Sequence, residues 1–284
     1  MDNPCVKSIR TGRPRSQALC SGPMDTQLCK RLAVLLLLST ILAGSTHART
    51  VRFALLQARP YAWVDDGGKP QGLYADIAAA LGSTAKVEVT LDVLPFARAA
   101  ALVSSGDMDA TLMFATEKTL GKARQEAVVF YTDQIVQLRP GLPVAQRKDL
   151  APMTIGRMIG GCQELASDTS VTWKFQDLTS QDSGLRMLAA ARIDGFCTVT
   201  EAIVDAARRN GLLSVVAQGR SLVLASRPVW LLVSPTLPAE SRDRLRAALT
   251  HLQTSGEIDA IFRRHLGNAY VVKLPDRTRT PIRP

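Results

Sequence analysis

The sequence predicts an α/β protein built as two lobes, and three observations carry that reading. Around Gly72–Leu81 the chain runs strand, aromatic loop, turn, helix, strand, which is the opening of a parallel α/β sheet. The order helix, glycine, aspartate, strand occurs at 96–114 and again, in looser form, at 185–199, as two halves on one plan would produce. Between the copies lies Pro140-Gly141-Leu142-Pro143, a Pro/Gly-rich stretch that marks a hinge or boundary.

Taken in order, Val51–Leu56 is a short apolar run that reads as a buried strand. Tyr61 and Trp63 follow Pro60 in a loop. Aromatics at the carboxyl edge of such a sheet either stack on a ligand or cap the core. The first helix, through Ile77–Leu81, is expected to end at Gly82, and Val87–Val93 is the next strand. Pro95 suits an early helix position; that helix runs to Val103, stops at Ser104-Ser105-Gly106, and Asp107–Phe114 leads into a strand.

Beyond the link, the strand Thr154–Met158 runs into Gly160-Gly161 and a helix-like start. A helix start leaves N–H groups unpaired, and glycines let an anion approach them. The backbone at Gly161 and Cys162 is therefore a candidate carboxylate cradle. Val171–Phe175 is a strand, and Ser180 caps a helix over Gly184–Ala191. Gly195–Val199 is a strand and Ala202–Arg209 a helix. Glu201, at the start of that helix, either meets a cationic group of a ligand or serves the helix dipole. Leu213–Val216, Leu222–Leu224 and Arg227–Val233 read as strands, the last interrupted by Pro228. Glu240–Leu252 is amphipathic, with Leu245, Ala248, Leu249 and Leu252 on one face, and Ile258–Leu266 closes the fold. Residues 268–284 form a basic, proline-containing tail that is expected to fray. The lobes divide as 50–138 plus 225–267, and 139–224.

The net charge of +10 is dispersed. Residues 1–48 carry +4, the last twelve +3, and the remainder about +3, which argues against a nucleic-acid partner. No metal-ligand spacing, phosphate loop or nucleophile motif is present, so no cofactor or metal is expected. Lys30-Arg31, the apolar run Leu32–Ala43 and Thr46-His47-Ala48 have the layout of a secretory signal cleaved after Ala48. That apolar run is too short to span a bilayer. The signal is best proportioned if translation starts at Met24, with residues 1–23 an over-called start. In an exported chain, Cys162 and Cys197 are either a disulfide or two buried thiols.

With these residues in view, the chain resembles the bacterial extracellular solute-binding proteins of family 3, the amino-acid-type periplasmic receptors of ABC importers. Pro60-Tyr61 followed by Gly72-Leu73-Tyr74-Ala75-Asp76-Ile77 is similar to the family's Pro-Phe and Gly-Phe-Asp-x-Asp-Leu motifs. Ser105-Gly106-Asp107-Met108-Asp109-Ala110 resembles its Ser-Gly-x-x-Asp-Ala turn. Arg124, with Phe130 and Thr132-Asp133 beyond it, resembles its Arg…Phe-Ser/Thr-Asp motif. Ile155-Gly156 and Gly160 match a glycine pattern whose two hydroxyl residues are Gly161 and Cys162 here. Arg192-Ile193-Asp194 is similar to its Gly-Arg-Ile-Asp strand entry.

The resemblance implies a two-lobed periplasmic-binding-protein-like fold of type II, with two hinge crossings and a small charged solute, amino acid or organic acid, in the cleft. It implies a monomer that is not an enzyme and that hands its ligand to an inner-membrane ABC permease. It also implies that Arg124 clamps a ligand carboxylate; otherwise Arg124 is a solvated charge beside Lys122 and Glu126. The family's ammonium-binding aspartate is Val199 here, which leaves Glu201 to substitute. Two other readings are a periplasmic enzyme on the same fold, similar to cyclohexadienyl dehydratase, and an accessory or sensory binding protein without a transporter.

Overall fold

The computed structural model describes residues 50–115 and 121–276. The leader expected over 1–48, its cleavage point and residues 277–284 lie outside the described residues. One sheet of eight strands organises the chain. In sequence the strands are β1 (Val51–Leu56), β4 (Val89–Leu94), β5 (Ala110–Met113), β6 (Arg124–Leu138), β7 (Thr154–Met158), β8 (Lys174–Leu178), β9 (Gly195–Val199) and β10 (Ser221–Val233). In space their order is β4-β1-β5-β10-β6-β9-β7-β8. Two short strands, β2 (Trp63–Val64) and β3 (Pro70–Gln71), pair separately beside the first loop.

Each end of the sheet is a parallel triplet, with β1 between β4 and β5 and β7 between β8 and β9. Between the triplets run only β6 and β10, antiparallel to each other over most of their length. A strand rises about 3.4 Å per residue, so the fifteen residues of β6 reach about 50 Å, long enough to serve both halves. These two strands are the crossings. Part of the recurring sequence order is a real structural repeat. Asp109, ahead of β5, accepts the N–H of Arg52 on β1 at 2.9 Å and donates its own N–H to the Arg52 carbonyl. Asp194, ahead of β9, does the same with Thr154 of β7 at 3.0 Å. Each aspartate locks a crossover strand in register against the first strand of its half.

Helices cover both faces of each half. The first half carries α1 (Leu73–Ala85), α7 (Ala239–Thr254) and α8 (Glu257–Leu266) on one face, and α2 (Phe96–Ser105) on the other. The second carries α4 (Gln181–Ala189) and α5 (Thr200–Arg209) on one face. On its other face lie α3 (Gln163–Ala166) and a 3-10 turn at Arg147–Leu150. Helix α6 (Leu213–Gln218) leads into β10. Helix α5 serves two cores, since Val204 packs against both the first-half and the second-half clusters. The buried face of α7 is Leu245, Ala248, Leu249 and Leu252, as the sequence period predicts.

Several elements depart from expectation. Helix α1 runs through Gly82 to Ala85, and a Cβ at Gly82 would stand 2.5 Å from Val89, so the glycine is a packing contact and not a stop. Gly72, at φ 115°, is held for a related reason: a Cβ would stand 2.5 Å from the Tyr61 carbonyl. Leu213–Val216 is helical, not extended. Pro228 does not interrupt its strand. It faces Tyr131 inside a continuous β10, whose irregular pairing is confined to separate register shifts.

The described part of the tail is docked, not frayed. Val272 is buried, and the Tyr131 N–H donates to the Lys273 carbonyl at 2.7 Å. This contact covers the edge of β6 that β9 leaves at Gln134, while the Gln253 amide caps the carbonyls of Val128 and Val129 at 2.9 Å each. An uncovered strand edge invites pairing with another chain, and here side chain and tail close it.

Candidate functional site

Of the expected site residues, Tyr61 and Glu201 meet at the waist of the sheet, where β6 and β10 pass from one half to the other. Glu201 lies in the first turn of α5 and is fully buried. Its Oε1 accepts the Tyr270 hydroxyl at 2.7 Å. Its Oε2 accepts the Thr132 hydroxyl and, more distantly, the Tyr61 hydroxyl at 3.4 Å. The donors come from the loop after β1, from β6 and from the segment past α8. Burial pushes the Glu201 carboxyl above its ordinary value, and the hydroxyl donors only partly oppose it. Burial, and then the nearby Glu201 charge, raise the Tyr61, Tyr74 and Tyr270 phenols in turn.

The sequence leaves Glu201 either to meet a cationic group or to serve the helix dipole; its partners here are three hydroxyls of the protein itself. In this conformation its carboxyl is enclosed by the protein's own hydroxyls, and it pins three segments together. Tyr61 belongs to the same pin. Its ring packs on Tyr74 with centroids 4.8 Å apart, and contacts pass on through Phe130 and Phe262 to Tyr270. It therefore caps the core and does not stand open in a loop. Trp63 is half-buried on β2 with the Arg59 guanidinium 3.9 Å above its ring and His265 at its edge. His265 in turn meets Asp76 at 2.9 Å.

Arg124 is the first residue of β6, exposed, and paired across the sheet with Val233. Eight residues of strand separate it from Thr132, about 27 Å at the usual rise. The structure does not bring it to Glu201 or to the loop after β7. That loop holds the other expected pair. Cys162 and Cys197 are joined by a disulfide with Cα atoms 5.9 Å apart, fastening the loop to the middle of β9. The Gly161 N–H donates to the Met158 carbonyl at 2.7 Å. Cys162 takes a left-handed backbone at φ 60° ahead of the four-residue α3.

Two residues that the sequence reading passed over stand here. Arg227 of β10 reaches Glu164, two residues past Cys162, with Nε at 2.7 Å and Nη2 at 2.6 Å from Oε1. Tyr270 completes the Glu201 pin. Each makes its contact across more than sixty residues, which no local pattern displays. Among the described residues no group of three or more His, Cys, Asp or Glu is arranged to hold a metal ion, and no helix is long and apolar enough to cross a membrane.

Residues 51–268 match the family model of the bacterial extracellular solute-binding proteins, family 3. No curated protein matches the chain. Solved structures do. A histidine kinase sensor domain with similarity to periplasmic binding proteins is 20% identical, covers 80% of this chain and 98% of its own, and superposes with a TM-score of 0.61. An ancestral amino acid-binding protein, a precursor of cyclohexadienyl dehydratase, is 16% identical over 81% of this chain and 99% of its own, with a TM-score of 0.58. The arginine-, lysine-, histidine-binding protein ArtJ of Geobacillus stearothermophilus is 16% identical over 78% and 96%, with a TM-score of 0.57. At such identities the likeness establishes the fold, which is the type II periplasmic-binding-protein architecture of two α/β halves with two crossing strands.

Proposed function

The chain belongs to the bacterial extracellular solute-binding proteins, family 3, and from that premise we propose that it captures a small charged solute, an amino acid or an organic acid, between its two halves for an ABC importer. The observation that carries this reading is the pair of matched parallel triplets, between which β6 and β10 are the only strands of the described sheet. Ligands of parallel α/β sheets sit beyond the carboxyl ends of the strands, and here each half has such an end. Two crossings leave the halves free to close by hinge motion. A ligand that touches both then shifts the population toward the closed form that a permease recognises. The signal over 1–48 would deliver the chain to the periplasm, where it works as a monomer with its disulfide formed. The lobes of this proposal are 50–138 with 225–267, and 139–224.

The loop at Gly161 and Cys162 is the expected site residue pair retained in this proposal, as the rim of the cleft at the carboxyl end of β7. Tyr61 and Glu201 serve the hinge behind it. A thermal-shift screen of amino acids and small organic acids tests the reading, because a ligand that binds only the native state raises the melting temperature. At least one member of the panel is expected to raise it by several degrees; a panel that leaves it unmoved counts against solute capture. The sensor-domain neighbour keeps a second reading open, in which the same capture serves signalling. The enzymatic reading is disfavoured because Glu201, its candidate general acid or base, is enclosed.

A further inference from the structure

A solvent-reachable guanidinium stands at the waist with a protein carboxylate as its occupant. Arg227 pairs across the sheet with Thr132, between the first residue of β10 that meets β5, Trp230, and the first of β6 that meets β9, Gln134. It lies on a crossing strand and reaches to the second half, where Glu164 follows the loop at the carboxyl end of β7. The disulfide of Cys162 to Cys197 holds the start of that loop's helix in place. The Arg227 side chain is 47% exposed and that of Glu164 only 9%. Both guanidinium donors converge on one oxygen, Oε1, whereas a carboxylate that meets a guanidinium edge-on offers two oxygens to two parallel donors.

We propose that Arg227 is the anion-binding residue of this protein, that its ligand carries a carboxylate, and that Glu164 holds the place of that carboxylate until it arrives. The inference rests on the solute-capture reading and names the charge its ligand brings. Exchange of one carboxylate for another on the same guanidinium keeps the charge balance of the waist. The opposing terms are the release of Glu164 from its partner and its repulsion of the incoming anion. Binding to Arg227 also engages a crossing strand and breaks a tie to the second half, so occupancy and hinge position change together.

The test is isothermal titration of succinate into the full chain and into Glu164→Gln, Arg227→Gln and the double variant. The amide introduced by Glu164→Gln keeps the shape of the occupant and removes its charge, so this variant is expected to bind succinate about tenfold or more tightly than the unaltered protein. Arg227→Gln leaves a buried carboxylate unpaired and risks the fold. The double variant places two neutral amides together and removes that risk. It is expected to lose the gain entirely. A double variant that binds succinate as tightly as Glu164→Gln overturns the proposal, as does a Glu164→Gln variant that binds no succinate. If the amino-acid panel still raises the melting temperature of the double variant as it does that of the unaltered protein, solute capture stands and the anion subsite falls. If the panel moves neither protein, capture itself falls.

Discussion

Glu201 shows how a residue can be singled out by sequence while its partners stay hidden. An acid in the first turn of a helix, close to where related receptors bind an ammonium, invites a ligand-facing role. The structure surrounds it instead with the hydroxyls of Tyr61, Thr132 and Tyr270. A carboxyl whose folded pKa is raised contributes most to stability below its unfolded value of 4.5, and that contribution is lost as pH rises through the raised folded pKa. Glu201→Gln is neutral at every pH. Its melting temperature relative to the unaltered protein is therefore expected to climb as the buffer moves from about pH 4 toward about pH 8, read by scanning calorimetry at each pH; parallel curves would contradict a raised carboxyl. The partners of Glu201 are not legible in the sequence because Tyr270 lies 69 residues away in the chain and Tyr61 lies 140 away. Local period and capping rules act over single turns and report nothing at that range.

At the scale of elements, local signals carry well. The echo of Asp109 and Asp194 is visible because each acts on its own half through a short motif, and the face of α7 is visible because burial follows the helical period. Leu213–Gln218 defeats a sequence reading because a short run rich in Leu and Val suits strand and helix alike, and only its packing decides. The tail misleads by its composition. Its described part carries Tyr270 to Glu201 and Lys273 to Asp133, whose other oxygen is buried without a hydrogen-bond partner among the described residues. Ending the chain at Gly267 removes both contacts and bares the edge of β6. The expected result is a loss of about 2–4 kcal/mol in urea unfolding, as Asp133 is left without its ammonium partner and Glu201 loses one of its donors. It should be accompanied by faster amide exchange at 131–134 and 200–203. A truncated protein with unchanged stability would return the tail to the frayed state its composition suggests.

For the molecule as a whole, the middle of the sheet is supplied late. Strand β10 sits between β5 and β6, yet it comes from residues 221–233, and α7 and α8 that close the first core follow it. A fragment ending at residue 220 keeps both parallel triplets but lacks the strand that joins β5 to β6. It is expected to show no cooperative thermal transition and to be cut by protease throughout the first half, whereas the full chain resists. The fold class is legible despite this, because each triplet announces itself in its own stretch of sequence. The joining is not, since nothing in 221–233 says which two strands it will enter.

The late arrival of β10 has a bearing on how the protein is made. During synthesis the first half lacks β10, α7 and α8 until most of the polypeptide has left the ribosome. If the proposed leader threads the chain through a secretion channel, the late placement of these elements leaves the first half incomplete while its own residues pass.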